Sequence, residues 1–139
     1  MDIKKLLIGG IAGGILYFLL GWLIYGMLLM DFMNSHAGTA GNVNKVQPDF
    51  LYLTIGNLAM GFLLAYVFVK SSVNSLAGGF VTGAVLGALV SVGVDCMVYA
   101  TTTTISKTAM AADVCASTVM SAVVGALAAM VMSMGKKAA

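Results

Sequence analysis

Polar residues in this chain are confined to short intervals. Between them lie four almost uninterrupted apolar runs, at about residues 6–30, 50–69, 76–100 and 110–134. A helix that crosses a bilayer needs about 20 predominantly apolar residues. Lipid satisfies no backbone N–H or C=O, so only helices and closed barrels can span it. Barrel strands are about ten residues long and alternate in polarity, so unbroken runs of this length predict helices. The expected fold is all-α: one transmembrane domain over residues 1–139, an integral-membrane four-helix bundle in up-down-up-down order.

Composition agrees with that pattern. The apolar set makes up 60% of the chain and charged residues only 9%, against about 25% charged in soluble domains. A chain this apolar has too little polar surface to cover itself, so its expected partner is the lipid bilayer. The net charge of +2 is too small for the electrostatic footprint of nucleic-acid binding. All seven basic residues are Lys, so no guanidinium fork is present for bidentate capture of phosphate.

The first run follows MDIKK, which resembles the basic start of a signal peptide. Its apolar stretch of about 25 residues exceeds the roughly 7–15 of a signal peptide, so it is expected to be a retained helix. Lys4, Lys5, Lys70, Lys136 and Lys137 fall on one side of the predicted bundle, and Lys45 and Lys107 on the other. The positive-inside rule then places both termini in the cytoplasm of a multi-pass inner-membrane protein. The 31–49 loop and the Thr-rich third loop would face outward.

An internal repeat is suggested by displacing the chain 64 positions, the interval from Asp31 to Asp95. Asp49 then falls on Asp113, Met33 on Met97, Thr54 on Thr118, Gly61 on Gly125 and Ala65 on Ala129. This is the pattern of a tandemly duplicated helical hairpin, a parallel repeat of the kind some transporters use. Small residues also recur every four positions: Gly79, Gly83, Gly87 and Ser91 in the third run, Ser117, Ser121, Gly125 and Ala129 in the fourth, Asn57, Gly61 and Ala65 in the second. Such stripes let helix backbones approach closely in lipid. We therefore expect Gly61, Gly79, Gly83, Gly87, Ser121 and Gly125 to be packing positions. GGIAGG at 9–14 lacks the Lys-Ser/Thr of a phosphate loop and lies within a spanning helix, so it too is read as packing.

The unusual chemistry is acidic. At about 1.5 Å per residue, Asp95 lies roughly 10 Å from the middle of the third helix. That is just inside a hydrocarbon boundary about 15 Å from the midplane. Asp113 should lie at similar height on the fourth helix, in its second turn if Thr108 is the cap. Helix N-termini favour the charges of Asp49 and Asp113, whereas Asp31 and Asp95 sit near C-terminal ends, which disfavour anions. Two close carboxylates do not both ionise cheaply, so a proton or a cation is shared between them.

Two readings of Asp95 follow. One is an outward-facing acidic site for a proton, a metal ion or an organic cation, with Asp113, Asn57, Tyr99, Ser91, Ser117 and Ser121 as polar lining and Lys45 and Lys107 as available counter-charges. The other is an interhelical hydrogen bond that holds the third helix to the fourth. Intramembrane acids are functional candidates by default.

Other residues add less. Trp22, Tyr25, Tyr52, Tyr66 and Tyr99 fall mostly toward helix ends, as interfacial anchors do. The eleven Met residues are adaptable filler. His36 stands alone in a Gly/Ser/Asn loop, where it is expected to be solvated. Cys96 and Cys115 are expected to be buried free thiols, since a disulfide needs Cα atoms within about 7 Å. No metal-ligand spacing, no cofactor motif and no paired nucleophile and base is recognisable, so neither a cofactor nor an enzyme is expected.

The segments LLGWLIYGMLLMDFM, QPDFLYLTIGNLAMGFLLAY, GGFVTGAVLGALVSVGVDCMVYATTTT and ADVCASTVMSAVVGALAAM resemble small four-helix bacterial inner-membrane proteins of uncharacterised function, domain-of-unknown-function family seventeen-sixty-one. That group often has adjacent Trp-Tyr in its first helix, where this chain separates Trp22 from Tyr25. The resemblance implies a four-helix membrane fold and no activity. The functional expectation is a small ion-binding or transport-type membrane protein, working as a homo-oligomer. The alternative is a non-catalytic accessory subunit that packs against partner membrane helices.

Overall fold

The computed structural model describes residues 1–41 and 43–134. The fold is all-α. Helix α1 (Ile3–Leu23) runs into a π-helical turn (Ile24–Leu28) and then, after a bend, into a short α2 (Met30–Ser35). The remaining helices are α3 (Phe50–Lys70), α4 (Leu76–Thr101) and α5 (Lys107–Met134). Four segments, Ile3–Leu28, Phe50–Lys70, Leu76–Thr101 and Lys107–Met134, are long and apolar enough to cross a bilayer. The protein is accordingly a multi-pass membrane protein.

Each long helix begins on a polar cap, because its first N–H groups have no partner within the helix. Asp2 accepts from Lys5 N–H at 3.1 Å and Asp49 from Leu51 N–H at 3.2 Å. Ser75 accepts from Gly78 N–H at 3.0 Å and Ser106 from Ala109 N–H at 3.1 Å. The cap of α5 is therefore Ser106 and not Thr108, and the helix begins three residues earlier than its apolar run at 110 suggests. A capping Ser on Lys107 extends the helix through residues too polar to register in the run.

Helix α3 ends with Ser72 in the left-handed region, φ +55°. Val73 N–H reaches back to Phe68 C=O at 2.9 Å, and Val73 packs against the buried core that includes Phe68. This is a Schellman closure with Ser where Gly is usual.

Glycines set the helix pairing. Gly13 of α1 meets the backbone of Gly61 of α3, and Gly10 and Gly14 meet Phe62 and Leu58. In the second hairpin Gly79 and Gly83 meet the backbone of Gly125 and Ser121, and Gly87 meets Ser117 and Ser121. Partner numbers fall as helix numbers rise, so both pairs are antiparallel. The expected packing positions Gly61, Gly79, Gly83, Gly87, Ser121 and Gly125 are all used. Lipid is as apolar as the side chains, so association depends on close van der Waals contact, and small residues permit it.

The two hairpins join through α1 and α5. Gly9 receives the Met132 side chain, and Tyr17 donates to Ser121 Oγ at 2.9 Å. By contrast α3 and α4 touch only marginally despite their short connection. Contacts thus follow the order α3–α1–α5–α4, and the ring of sequential neighbours is not closed. The reason is composition. Helix α5 buries Ser121, Ala122, Val124, Gly125, Ala126, Ala128 and Ala129, small residues around most of its girth, so it accepts a neighbour on each side. The core lies where α1, α3 and α5 meet, around Tyr17, Leu64, Phe68, Val124 and Met132.

At the far end the first and third loops pair. Ala37 bridges Ile105, Gly38 N–H donates to Thr104 C=O at 3.2 Å and Ala40 N–H to Thr103 C=O at 3.1 Å. His36, expected to be solvated, is half-buried. It stacks on Phe32 with ring centroids 4.2 Å apart, and its carbonyl accepts from Ser106 Oγ.

Two outcomes test this packing. A methyl at Gly83 would meet backbone of Ser121 and Gly125, whereas Gly93 has open space around it. Gly83→Ala should destabilise by about 1–3 kcal/mol as overpacking does. Gly93→Ala should be neutral or stabilising by up to about 1 kcal/mol, the Gly–Ala helix difference. Thermal unfolding in detergent compares them. In the same assay Ser72→Gly should gain roughly 1 kcal/mol by removing a left-handed Cβ.

Candidate functional site

Asp95 and Asp113 meet. They are carried by the antiparallel pair α4 and α5, beyond the glycine crossing, where the seam continues through Ser91. The Ser91 hydroxyl lies 3.3 Å from Asp95 Oδ2 and 3.1 Å from Asp113 Oδ2, donating toward both. Asp95 is 8% exposed and Ser91 7%. In α4, Gly79, Gly83, Gly87, Ser91 and Asp95 form one continuous buried stripe at four-residue spacing. Asp95 thus faces α5 for the same reason that the glycines do.

A second polar set joins this one from α1. The Tyr25 hydroxyl lies 2.8 Å from Ser117 Oγ and donates to the Asp113 carbonyl at 3.4 Å. One turn further along α5, Tyr17 donates to Ser121. Tyr17, Ser121, Ser117, Tyr25, Asp113, Ser91 and Asp95 therefore form a ladder of hydroxyls and carboxylates. It runs down the α1–α5–α4 seams from the core to one end of the molecule. Among the described residues every buried side-chain polar atom has a partner, as burial requires.

Of the residues expected to line the site, Asp95, Asp113, Ser91 and Ser117 come together. Asn57 and Tyr99 do not. Asn57 donates to Leu53 C=O in its own helix at 2.7 Å, on α3, which barely touches α4. Tyr99 is 40% exposed, with Lys107 Nζ 6.0 Å from its ring centroid. Lys107 is therefore no counter-charge for the acids. Among the described residues no lysine comes within ion-pairing distance of Asp95 or Asp113. Six positions separate Lys107 from Asp113, which turns them to different faces of α5.

The cysteines also depart from expectation. Cys96 and Cys115 are free, as expected, but exposed rather than buried. Each follows an inward acid by one or two positions, a rotation of about 100–200° at 3.6 residues per turn. Asp49 caps α3, and Asp31 lies exposed on α2. Neither is bonded to the Asp95–Asp113 pair.

Tyr17 and Tyr25 are the site residues that the sequence reading passed over. Tyr17 stands four positions after Gly13, on the face of α1 that packs. Tyr25 reads as an interfacial anchor, but it lies in the π-helical turn, which Leu29 N–H closes on Ile24 C=O at 2.7 Å. A π-turn holds one more residue than an α-turn and shifts the following side chains around the axis, commonly at functional sites.

Two clefts, each of about 220 Å³, lie elsewhere. Gly14, Phe18, Thr54 and Leu58 line one, on the α1/α3 flank. The other opens at the opposite end of the bundle, beside Lys5 and Met132. Among the described residues no three His, Cys, Asp or Glu side chains gather as a metal-ligand set. Comparison with protein-family models, curated proteins and solved structures found no match to this chain.

Ser91→Ala should destabilise by roughly 1.5–3 kcal/mol, the range for hydrogen bonds to charged groups. Asn57→Ala should be close to neutral. A double-mutant cycle of Tyr17→Phe with Ser121→Ala should give a coupling near 0.6 kcal/mol, the average for interhelical bonds in membranes. Chemical or thermal unfolding in detergent reads all of these.

Proposed function

We propose that this is a small ion-binding or transport-type membrane protein whose site is the Asp95–Ser91–Asp113 cluster, and that the ion is a proton or an oxygen-liganded cation. The observation that carries the reading is a count of protons. Ser91 brings one hydroxyl proton to two carboxylates, and no lysine among the described residues joins them. Fully ionised, the cluster would place two negative charges around one neutral donor in a poorly solvated seam, which is costly. A proton or a monovalent cation would leave the cluster with a single negative charge, and a divalent cation would neutralise it. The donor set is hard: carboxylates and hydroxyls suit a proton or a hard cation. Softer metals take thiolate or imidazole, and Cys96 and Cys115 turn away.

Lys4, Lys5 and Lys70, with Lys136 and Lys137 outside the described residues, support an orientation with both termini in the cytoplasm. The acid cluster then faces outward. An inner-membrane setting and kinship with domain-of-unknown-function family seventeen-sixty-one belong to the same proposal.

The test is thermal unfolding in detergent, wild type against Asp95→Asn, across pH and a panel of monovalent, divalent and organic cations. A bound ion stabilises by about 2.7 kcal/mol at a hundredfold excess over Kd. One cation, or protons alone, should stabilise the wild type and leave Asp95→Asn unaffected. If no ion separates the two and Asn is destabilising throughout, Asp95 is only an interhelical hydrogen-bonding residue.

One observation favours the second reading, a non-catalytic accessory subunit that packs against partner membrane helices. Gly56 and Gly93 have nothing within 4 Å of where a Cβ would stand, which leaves small notches on α3 and α4. If a partner helix fills them, Gly56→Leu and Gly93→Leu should reduce the particle mass measured in detergent by light scattering. An unchanged mass removes that reading.

A further inference from the structure

The cleft at the end opposite the acids has a layered polarity that the acid site does not use. Its floor is apolar: Phe68 and Val73 from the end of α3 and its closing turn, and Met132 from the last turn of α5. Its rim is polar, with Lys5, Ser72, Asn74 and Ser133. Every lining residue belongs to a helix end or to the α3–α4 connection. The cleft therefore opens at the level where a bilayer's headgroups begin.

We propose that this cleft seats the phosphate-bearing headgroup of one anionic glycerophospholipid, with the acyl chains leaving along the lipid-facing flank of the bundle. The proposal rests on the membrane setting of the four helices and not on the ion site.

Size, charge and rigidity support it. A volume of about 220 Å³ far exceeds the roughly 30 Å³ share of one water. It falls short of the roughly 300–1,000 Å³ of pockets that enclose drug-sized ligands. A headgroup with its glycerol fits that interval, while whole acyl chains do not. The end is basic: Lys5 lines the cleft, and Lys4 near the start of α1 and Lys70 at the end of α3 lie at the same end of the bundle; basic pockets between membrane helices are where acidic headgroups bind.

Among the described residues that line the cleft, Asp2 is the one opposing charge. It caps α1 by accepting from Lys5 N–H at 3.1 Å, and its second oxygen lies 3.8 Å from Lys5 Nζ. An exposed pair of that length holds Lys5 weakly, and an ammonium has three protons to donate. Lys5 can thus keep Asp2 and still reach a phosphate oxygen. The rim is also set in advance. The Val73–Phe68 hydrogen bond closes the turn and fixes the backbone that carries Ser72 and Asn74.

The experiment is native mass spectrometry and thermal-shift titration of the full chain in detergent. Phosphatidylglycerol, phosphatidylcholine and inorganic phosphate are added separately. Wild type should retain one phosphatidylglycerol per chain, and phosphatidylcholine should bind more weakly. Lys5→Gln should weaken phosphatidylglycerol about fivefold, the contribution of one lysine near an anionic surface. Lys45→Gln, at the other end, should change nothing. The α1 cap uses the backbone of residue 5, so Lys5→Gln should unfold without lipid at the wild-type temperature. If it does not, Ser133→Leu, which fills the rim, carries the test. Equal binding of the two lipids overturns the proposal, as does equal loss in Lys5→Gln and Lys45→Gln. Displacement of the lipid by an equal concentration of inorganic phosphate makes this a free-phosphate site and overturns it too.

Discussion

Everything in this fold depends on how closely two helix backbones can approach when no solvent pushes them together. Lipid tails do not favour burying one apolar side chain on another, so cohesion comes from dispersion across a tight seam. Gly13 against Gly61 and Gly79 and Gly83 against Gly125 remove the side chains that would hold the axes apart. Each seam forms one antiparallel hairpin. Tyr17, Met132 and the small residues of α5 then join the hairpins.

The same closeness governs the polar groups. A tight seam leaves little room for water, so a Ser, Tyr or Asp within it must find a partner in the protein. The hydroxyl ladder on α5 follows, with Tyr17 on Ser121 and Tyr25 on Ser117. At its end the stripe that began as glycine becomes Ser91 and then Asp95. The seam is a packing device over most of its length and a charged site at one end, with no change of face between the two.

Much of this was legible from residue order alone. Lipid demands helices of a minimum length, so the four spans follow from apolar runs. Gly61, Gly79, Gly83, Gly87, Ser121 and Gly125 stood out because they recur at helical spacing. Asp95 and Asp113 stood out because charge is rare within a span. What was not legible required knowing which helices touch. Asn57 was plausible lining only if α3 closed a ring with α4, and it does not. Cys96 and Cys115 were expected to be buried because free Cys usually is, but being one or two positions from an inward acid turns them to opposite or lateral faces. Tyr25 was concealed by the π-helical turn, which breaks the 3.6-residue period that any face assignment assumes.

The contact order α3–α1–α5–α4 also bears on how the molecule is made. Helix α5, which like α1 has a neighbour on each side, is the last of the four long helices to emerge during synthesis. Until α5 enters the bilayer, α4 has almost nothing to pack against, because it scarcely touches α3. The acids then have no seam, and Asp95 must wait in lipid or at its surface without Asp113. Assembly is therefore completed by the final insertion rather than accumulated helix by helix. A ribosome that stalled before residue 107 would leave a membrane intermediate with one finished hairpin and one unsheltered charge.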